Sequence, residues 1–165
     1  MSDINLFKKF KKKTNQLTLH SVNTWGFVPI TEVKDDVFSQ KMLGDGFAIR
    51  PNIKEVYSPI SGIVTSVFPT KHAIGLKSET GVEVLVHMGI DTVELQGKPF
   101  EVFVKEGDLV VPSTKIADID LAMLNVSNKQ SDILVIITSG EDIEFQMASS
   151  MNISANDLVG KVILK

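Results

Sequence analysis

Apolar and polar positions along this chain change over short distances, mostly with the two-residue period of a strand. The clearest run is residues 82–88, a dense set of β-branched and apolar residues opened by Gly81. That composition reads as a strand. Side chains alternate between the faces of a strand. Val82, Val84, Val86 and Met88 therefore share one face, and Glu83, Leu85 and His87 share the other. The first face is wholly apolar and is the expected core face. The second presents a histidine next to a leucine expected to be exposed. Gly89 ends the run and lets backbone approach the imidazole closely. Asp91 follows His87 by four residues and can fold back beside the ring.

The same reading predicts strands over residues 16–22, 47–49, 55–58, 63–68, 73–77, 100–104, 109–111, 115–118, 132–138, 143–147 and 158–164. Pro51, Pro59 and Pro69 punctuate them, and glycine turns separate them. Asp35 is placed to cap one turn of helix through Phe38, and Asp120 to cap a short helix over 121–126. Short strands, frequent turns and no long helix predict an all-β sandwich or barrel. Gly107-Asp108-Leu109-Val110 is echoed by Asn156-Asp157-Leu158-Val159. Gly44-Asp45-Gly46 reads as a turn into a strand. It lacks the following helix and Gly-Lys-Ser/Thr of a phosphate-binding loop.

A turn at Ser78-Glu79-Thr80-Gly81 pairs the 73–77 strand with the 82–87 strand. Counted outward from that turn, His72 and His87 fall at the same end of the hairpin. Two imidazoles there can share an anion, a metal ion or a proton. His20, among Leu19, Ser21 and Val22, reads as a surface or half-buried histidine without a role.

Composition narrows the class. The chain has 165 residues, 43% hydrophobic and 22% charged, as expected of a soluble globular protein with a real core. No apolar run approaches the ~20 residues of a membrane span, and no secretory leader is evident. Cysteine is absent, so there is no disulfide framework and no thiol chemistry. A cytoplasmic location fits, with the inner membrane face as a peripheral alternative. The first 13 residues hold five lysines and one aspartate, +4; against a chain total of −3 that leaves −7 for the rest. An acidic body argues against nucleic-acid binding and favours a basic protein partner. Residues 1–15 are expected to form a basic arm, either disordered or amphipathic, and residues 16–165 a single domain. On an anionic membrane, residues 4–13 would place Phe7 and Phe10 in the interface and lysines on the headgroups.

Several ordered motifs resemble one family. Gly81-x-x-Val84-Leu85-Val86-His87-Met88-Gly89-Ile90-Asp91-Thr92-Val93 is similar to the signature of the glucose-type enzyme IIA of the bacterial phosphoenolpyruvate-dependent sugar phosphotransferase system. Val37-Phe38-Ser39-Gln40-Lys41-Met42-Leu43-Gly44-Asp45-Gly46-Phe47-Ala48-Ile49, Ser58-Pro59-Ile60-Ser61-Gly62 and Phe68-Pro69-Thr70-Lys71-His72-Ala73 resemble three further family segments. Asn23-Thr24-Trp25-Gly26 departs from the family turn, with Trp25 where a glycine is expected, and Ser113 replaces another turn glycine.

The resemblance implies a β-sandwich of the barrel-sandwich hybrid kind, built on a duplicated motif with only short helical turns. It implies a phosphoryl relay from a histidine phosphocarrier protein to a cysteine of an enzyme IIB, serving an enzyme IIB/IIC sugar permease. In that scheme His87 is the phosphoryl acceptor, His72 stabilises the phosphate, Thr70 orients His72, and Gly89 offers a carbonyl to His87. Phe38, Leu43, Phe68, Leu85 and Val93 match a hydrophobic ring around the site, and Asp35 and Asp91 match acidic positions facing the donor. Phe68 and Val93 can equally be core residues. No cofactor is required. A zinc ion held by His72, His87 and a partner's carboxylate at an interface is a secondary expectation. Regulatory protein targets are an alternative role. A zinc hydrolase on a related fold would need a His-x-His pair that this chain lacks.

Overall fold

The computed structural model describes residues 16–145 and 153–164. The expected arm at 1–15 and the end of the strand expected at 143–147 lie outside the described residues. Thirteen strands are formed: β1 Gln16–His20, β2 Trp25–Pro29, β3 Asp45–Pro51, β4 Glu55–Tyr57, β5 Gly62–Val67, β6 Ala73–Lys77, β7 Glu83–Met88, β8 Phe100–Val102, β9 Leu109–Val110, β10 Lys115–Ile119, β11 Ile133–Ile137, β12 Asp142–Phe145 and β13 Leu158–Ile163. Two short helices, α1 Asp36–Ser39 and α2 Leu121–Val126, and two 3-10 turns, Ile30–Glu32 and Thr92–Leu95, complete the described elements. Both helices begin as expected. Asp35 accepts from the Val37 N–H, and Asp120 from the Met123 N–H.

The strands form a seven-stranded sheet in the order β2-β3-β11-β7-β6-β5-β9 and two three-stranded sheets, β1-β13-β12 and β4-β10-β8. All pairings between these strands are antiparallel. Residues from all three sheets enclose one main core. Val82, Val84, Val86 and Met88 enter it, as the alternation predicts, together with Phe47, Ile49, Ile74, Leu76, Val56, Ile116, Val159 and Val162. The fold is the expected all-β sandwich.

The outer face of the large sheet carries a second apolar layer that the alternation did not show. Val28, Ile30, Val33, Phe38, Ala48, Ile90, Leu134 and Ile136 form it, with Leu85 half-buried against them. The chain between β2 and β3, including α1, supplies Ile30, Val33 and Phe38 of this layer. Strand β11 is consequently buried along its whole length, odd residues in the main core and even ones in the second. Leu85 was expected to be exposed; it packs against this layer, and the face it shares with His87 is part core.

The sequence echo has a structural counterpart. At one site Gly107 N–H donates to Val64 C=O, and Val64 N–H to Asp108 C=O, at 2.8 and 2.9 Å. At the other, Asn156 N–H donates to Ser21 C=O, and Ser21 N–H to Asp157 C=O, at 2.9 and 2.8 Å. Asp108 also accepts from the Lys105 N–H and Asp157 from the Ser154 N–H, each at 2.9 Å. The two turns are the same device used twice.

Strand β2 was not read from the sequence. It begins at the departure from the family turn, where Trp25 has φ +126°, a region suited to glycine. Trp25 is held there by reciprocal backbone bonds with Ile153, 2.9 Å each. The other departure costs nothing of this kind: Ser113 keeps a negative φ in the turn closed by Thr114 N–H donating to Val111 C=O at 2.8 Å.

In an ordinary strand glycine is less stable than alanine by roughly 0.5–1 kcal/mol. At position 25 the order should reverse. Trp25→Gly is expected to exceed Trp25→Ala in stability by about 1–2 kcal/mol, since only glycine adopts this φ without strain. Urea midpoints of the two variants check this, and an alanine variant the more stable of the two would refute the strained backbone.

Candidate functional site

The β6–β7 hairpin turns where expected, with Lys77 opposite Glu83 and the Gly81 N–H donating to Ser78 C=O at 3.0 Å. At its open end Ala73 stands opposite His87, and the Met88 N–H donates to His72 C=O at 2.7 Å. His72 lies one residue outside β6, after Lys71 has reversed the backbone at φ +58°. This register brings the two imidazoles together. Their centroids are 5.1 Å apart and their planes cross at 78°.

Each ring is held from one side. His87 Nδ1 is 2.8 Å from the Gly89 carbonyl oxygen. A carbonyl only accepts, so Nδ1 carries the proton and Nε2 keeps its lone pair. His72 Nδ1 is 2.5 Å from Thr70 Oγ1. When that hydroxyl donates, Nε2 of His72 is the protonated nitrogen. The ring of Phe38 lies 5.0 Å from His87, and that of Phe68 5.4 Å from His72 at 84°. His72 is buried and His87 half-buried.

Gly89 is a glycine by necessity. Its φ is +79°, and a Cβ there would collide with the Thr92 side chain. Its N–H donates to Asp132 C=O at 2.9 Å. Thr92 is fully buried and donates its hydroxyl to Met88 C=O at 2.5 Å. The signature motif contains Thr92, but nothing in its spacing pointed to this bond.

The structure brings together His72, His87, Thr70, Gly89, Phe38 and Phe68. The charges of Asp35 and Asp91 both act on His87, so these acids flank the site. Leu43, Phe68 and Val93 are exposed, at 43%, 38% and 48%, which places all three on the surface and not in the core. The other two members of the expected ring are not exposed: Leu85 is half-buried, and Phe38 is buried with its ring tilted against that of His87. Val37 and Met42 are exposed apolar residues of the same α1 segment that sequence reasoning passed over. His20 lies apart, its Nδ1 bonded to Asn156 C=O at 2.9 Å. For a metal, the two histidines supply two nitrogens where zinc takes four ligands. Among the described residues no group of three or more metal-binding side chains is formed.

With this geometry in place, known proteins become informative. The model of the phosphoenolpyruvate-dependent sugar phosphotransferase system EIIA 1 family matches residues 17–143. The chain belongs to that family. A glucose-specific EIIA component from Staphylococcus aureus (strain COL) is 44% identical over 156 residues, covering 94% of this chain and 91% of that protein. A glucose-specific EIICBA component from Streptococcus pneumoniae is 42% identical over 156 residues, and the chain spans only 21% of its length. Glucose permease IIA from Mycoplasma capricolum is a structural neighbour at TM-score 0.80 and 33% identity, covering 88% of this chain and 95% of that one. Components of this EIIA family are phosphotransferase relay proteins. The all-β sandwich is shared with the structural neighbour, and no helix among the described residues is long and apolar enough to cross a membrane.

The electrostatics of the paired rings act mainly on His87. Burial first, and the neighbouring His72 second, push the His87 pKa down to about 4 against the opposing pull of the Gly89 carbonyl, Asp35 and Asp91. Burial also lowers His72. Both rings are therefore neutral near pH 7, and the His87 lone pair is free.

This has a consequence for stability. Above pH 6.5 neither folded nor unfolded His87 is protonated, and stability is at its plateau. Below it the unfolded chain binds the proton first, so stability falls as pH drops from 6.5 towards 4, by about 3 kcal/mol for the gap. Denaturation at pH 7.5 and pH 4.5 should show this loss, and His87→Gln should remove most of it. An equal loss in both proteins would contradict a depressed His87.

Proposed function

We propose that this protein accepts a phosphoryl group on Nε2 of His87 from a histidine phosphocarrier protein and passes it to a cysteine of an enzyme IIB of a glucose-type sugar permease. The observation that carries the reading is the Nδ1–H···O=C bond from His87 to Gly89, which leaves a neutral, outward nucleophile beside a second imidazole. The names of the relatives support glucose as the sugar, and the fused EIICBA relative supports an enzyme IIB/IIC partner.

In the first step the donor's N–P bond breaks as the Nε2–P bond forms, and the donor nitrogen regains its electron pair. His87 keeps its Nδ1 proton, so the ring takes on positive charge. The Gly89 carbonyl, Asp35 and Asp91 offset that charge. His72, with the Thr70 hydroxyl donating to its Nδ1, turns Nε2–H towards the phosphoryl oxygens, and this is electrostatic stabilisation of the kind that dominates phosphoryl transfer. In the second step a cysteine thiolate of the partner attacks phosphorus, the S–P bond forms as the Nε2–P bond breaks, and the ring recovers its lone pair. Positioning and charge suffice, and no cofactor is invoked.

Docking follows from the rim. Leu43, Phe68 and Val93 offer apolar contact over the half-buried Leu85, and Asp35 and Asp91 offer carboxylates to a basic donor. The same surface can serve regulatory targets. An interfacial zinc would take His72 and His87 and needs its remaining ligands from the partner. The reading places the protein in the cytoplasm, as a single domain from residue 16. Membrane contact through residues 4–13 lies outside the described residues.

Incubation with phosphoenolpyruvate, enzyme I and the phosphocarrier should label wild type with acid-labile, base-stable phosphate. His87→Gln should take no label. His72→Gln should be labelled but pass the group to enzyme IIB about 10²- to 10³-fold more slowly, the cost of losing one transition-state donor. An unlabelled wild type, or a labelled His87→Gln, would overturn the assignment.

A further inference from the structure

We propose that Thr92 is a positioning residue for phosphoryl acceptance, holding the Met88–Gly89 peptide so that His87 stays in one tautomer. The inference rests on His87 being the acceptor. The His87 tautomer depends on one acceptor, the Gly89 carbonyl. That carbonyl belongs to the Gly89–Ile90 peptide, which the Ile90 N–H anchors by donating to Gln130 C=O at 3.0 Å; its remaining freedom is set by the preceding peptide, which is clamped at both ends. Its oxygen, on Met88, accepts the Thr92 hydroxyl at 2.5 Å, and its N–H, on Gly89, donates to Asp132 C=O at 2.9 Å. The Asp132 bond is main chain and survives substitution. The Thr92 bond is the side-chain half of the clamp.

Both branches of Thr92 are used. The hydroxyl bonds Met88, while the methyl occupies the space that a Gly89 Cβ would need. Thr92 has 0% exposure, so water does not compete for the hydroxyl. The same Met88 residue donates its N–H to His72 C=O at 2.7 Å. The clamp therefore also bears on the backbone that sets the distance between the rings. Without the hydroxyl, the Met88 carbonyl loses that partner in a buried setting, where an unmade bond is costly. The Met88–Gly89 peptide then rotates to find another, and the Gly89 carbonyl tilts with it about the Ile90 N–H bond to Gln130 C=O. His87 Nδ1 loses its acceptor, and its proton redistributes between the two nitrogens. Only the Nδ1–H form is a nucleophile at Nε2.

Two substitutions separate the branches. Thr92→Val keeps both shape and methyl but loses the hydroxyl. Thr92→Ser keeps the hydroxyl and loses the methyl. Long-range ¹H–¹⁵N spectra of the unphosphorylated, full-length chain read the tautomer directly, and label uptake from the phosphocarrier reads the consequence. Wild type and Thr92→Ser should show a single Nδ1–H tautomer and comparable uptake. Thr92→Val should show a mixture, with uptake slower by about 10- to 100-fold, the scale of a small misplacement of a reacting group. A purely structural role predicts the reverse, with Thr92→Ser the worse variant and no change of tautomer in Thr92→Val. An unchanged tautomer in Thr92→Val overturns the proposal. The spectra do not depend on phosphorylation. A mixture in Thr92→Val with no label on wild type would leave the clamp standing and remove the relay reading instead.

Discussion

The last rung of the β6–β7 hairpin, Met88 N–H to His72 C=O at 2.7 Å, sets the geometry on which the site depends. It closes a ladder that starts at the Lys77–Glu83 pair and runs without a bulge to Ala73 opposite His87. A shift of one residue would send His87 into the core and Val86 outward, because side chains alternate. The core prevents that shift. Val84, Val86 and Met88 pack with residues of all three sheets, and the continuously buried β11 holds the other side of β7 in register. The chemistry therefore rests on a position that hydrophobic burial enforces.

The second layer on the outer face gives the site its dielectric character. A histidine on a bare sheet surface would be well solvated and would titrate near its usual value. Here Phe38 from α1 lies against the ring, and Leu85, Leu134 and Ile136 extend the apolar surface beside it. Burial then disfavours the protonated ring more than Asp35 and Asp91 favour it. The balance keeps His87 neutral in the free protein, while the proposed docking role of those acids rests on the charge they keep beside it.

Much of this was legible in the chain, for reasons that differ by element. The β6–β7 strands, their turn and the pairing of His72 with His87 follow from alternation and turn residues, which are local rules. The capping roles of Asp35 and Asp120 are equally local. What escaped depends on distant packing. Leu85 has the parity of an exposed residue, and only the 28–38 segment folding over it makes it half-buried. Phe38 matches a hydrophobic ring around the site, and the same segment buries it against His87. Strand β2 escaped because it begins at Trp25, whose backbone conformation suits glycine. Thr92 was visible as a letter in a motif, but its use depends on a left-handed Gly89 that a spacing pattern does not encode.

The duplicated turns show why such a site can sit at an open sheet end without loosening. Each turn ties a strand, or the residue just after it, to the start of its neighbour in the same sheet, β5 to β9 and β1 to β13, by two reciprocal backbone bonds, at Val64 with Gly107 and Asp108 and at Ser21 with Asn156 and Asp157. In each, an aspartate side chain binds the backbone N–H three residues earlier. These clasps satisfy backbone groups that water would otherwise have to reach. The mechanical frame thus comes from one device placed twice, with Gly at one copy and Asn at the other taking the positive φ. Asn is among the few residues that tolerate that conformation, so the echo survives in shape where the letters differ. The active end is free of this duty, and its own special backbone, at Lys71, Gly89 and Asp91, serves the two imidazoles.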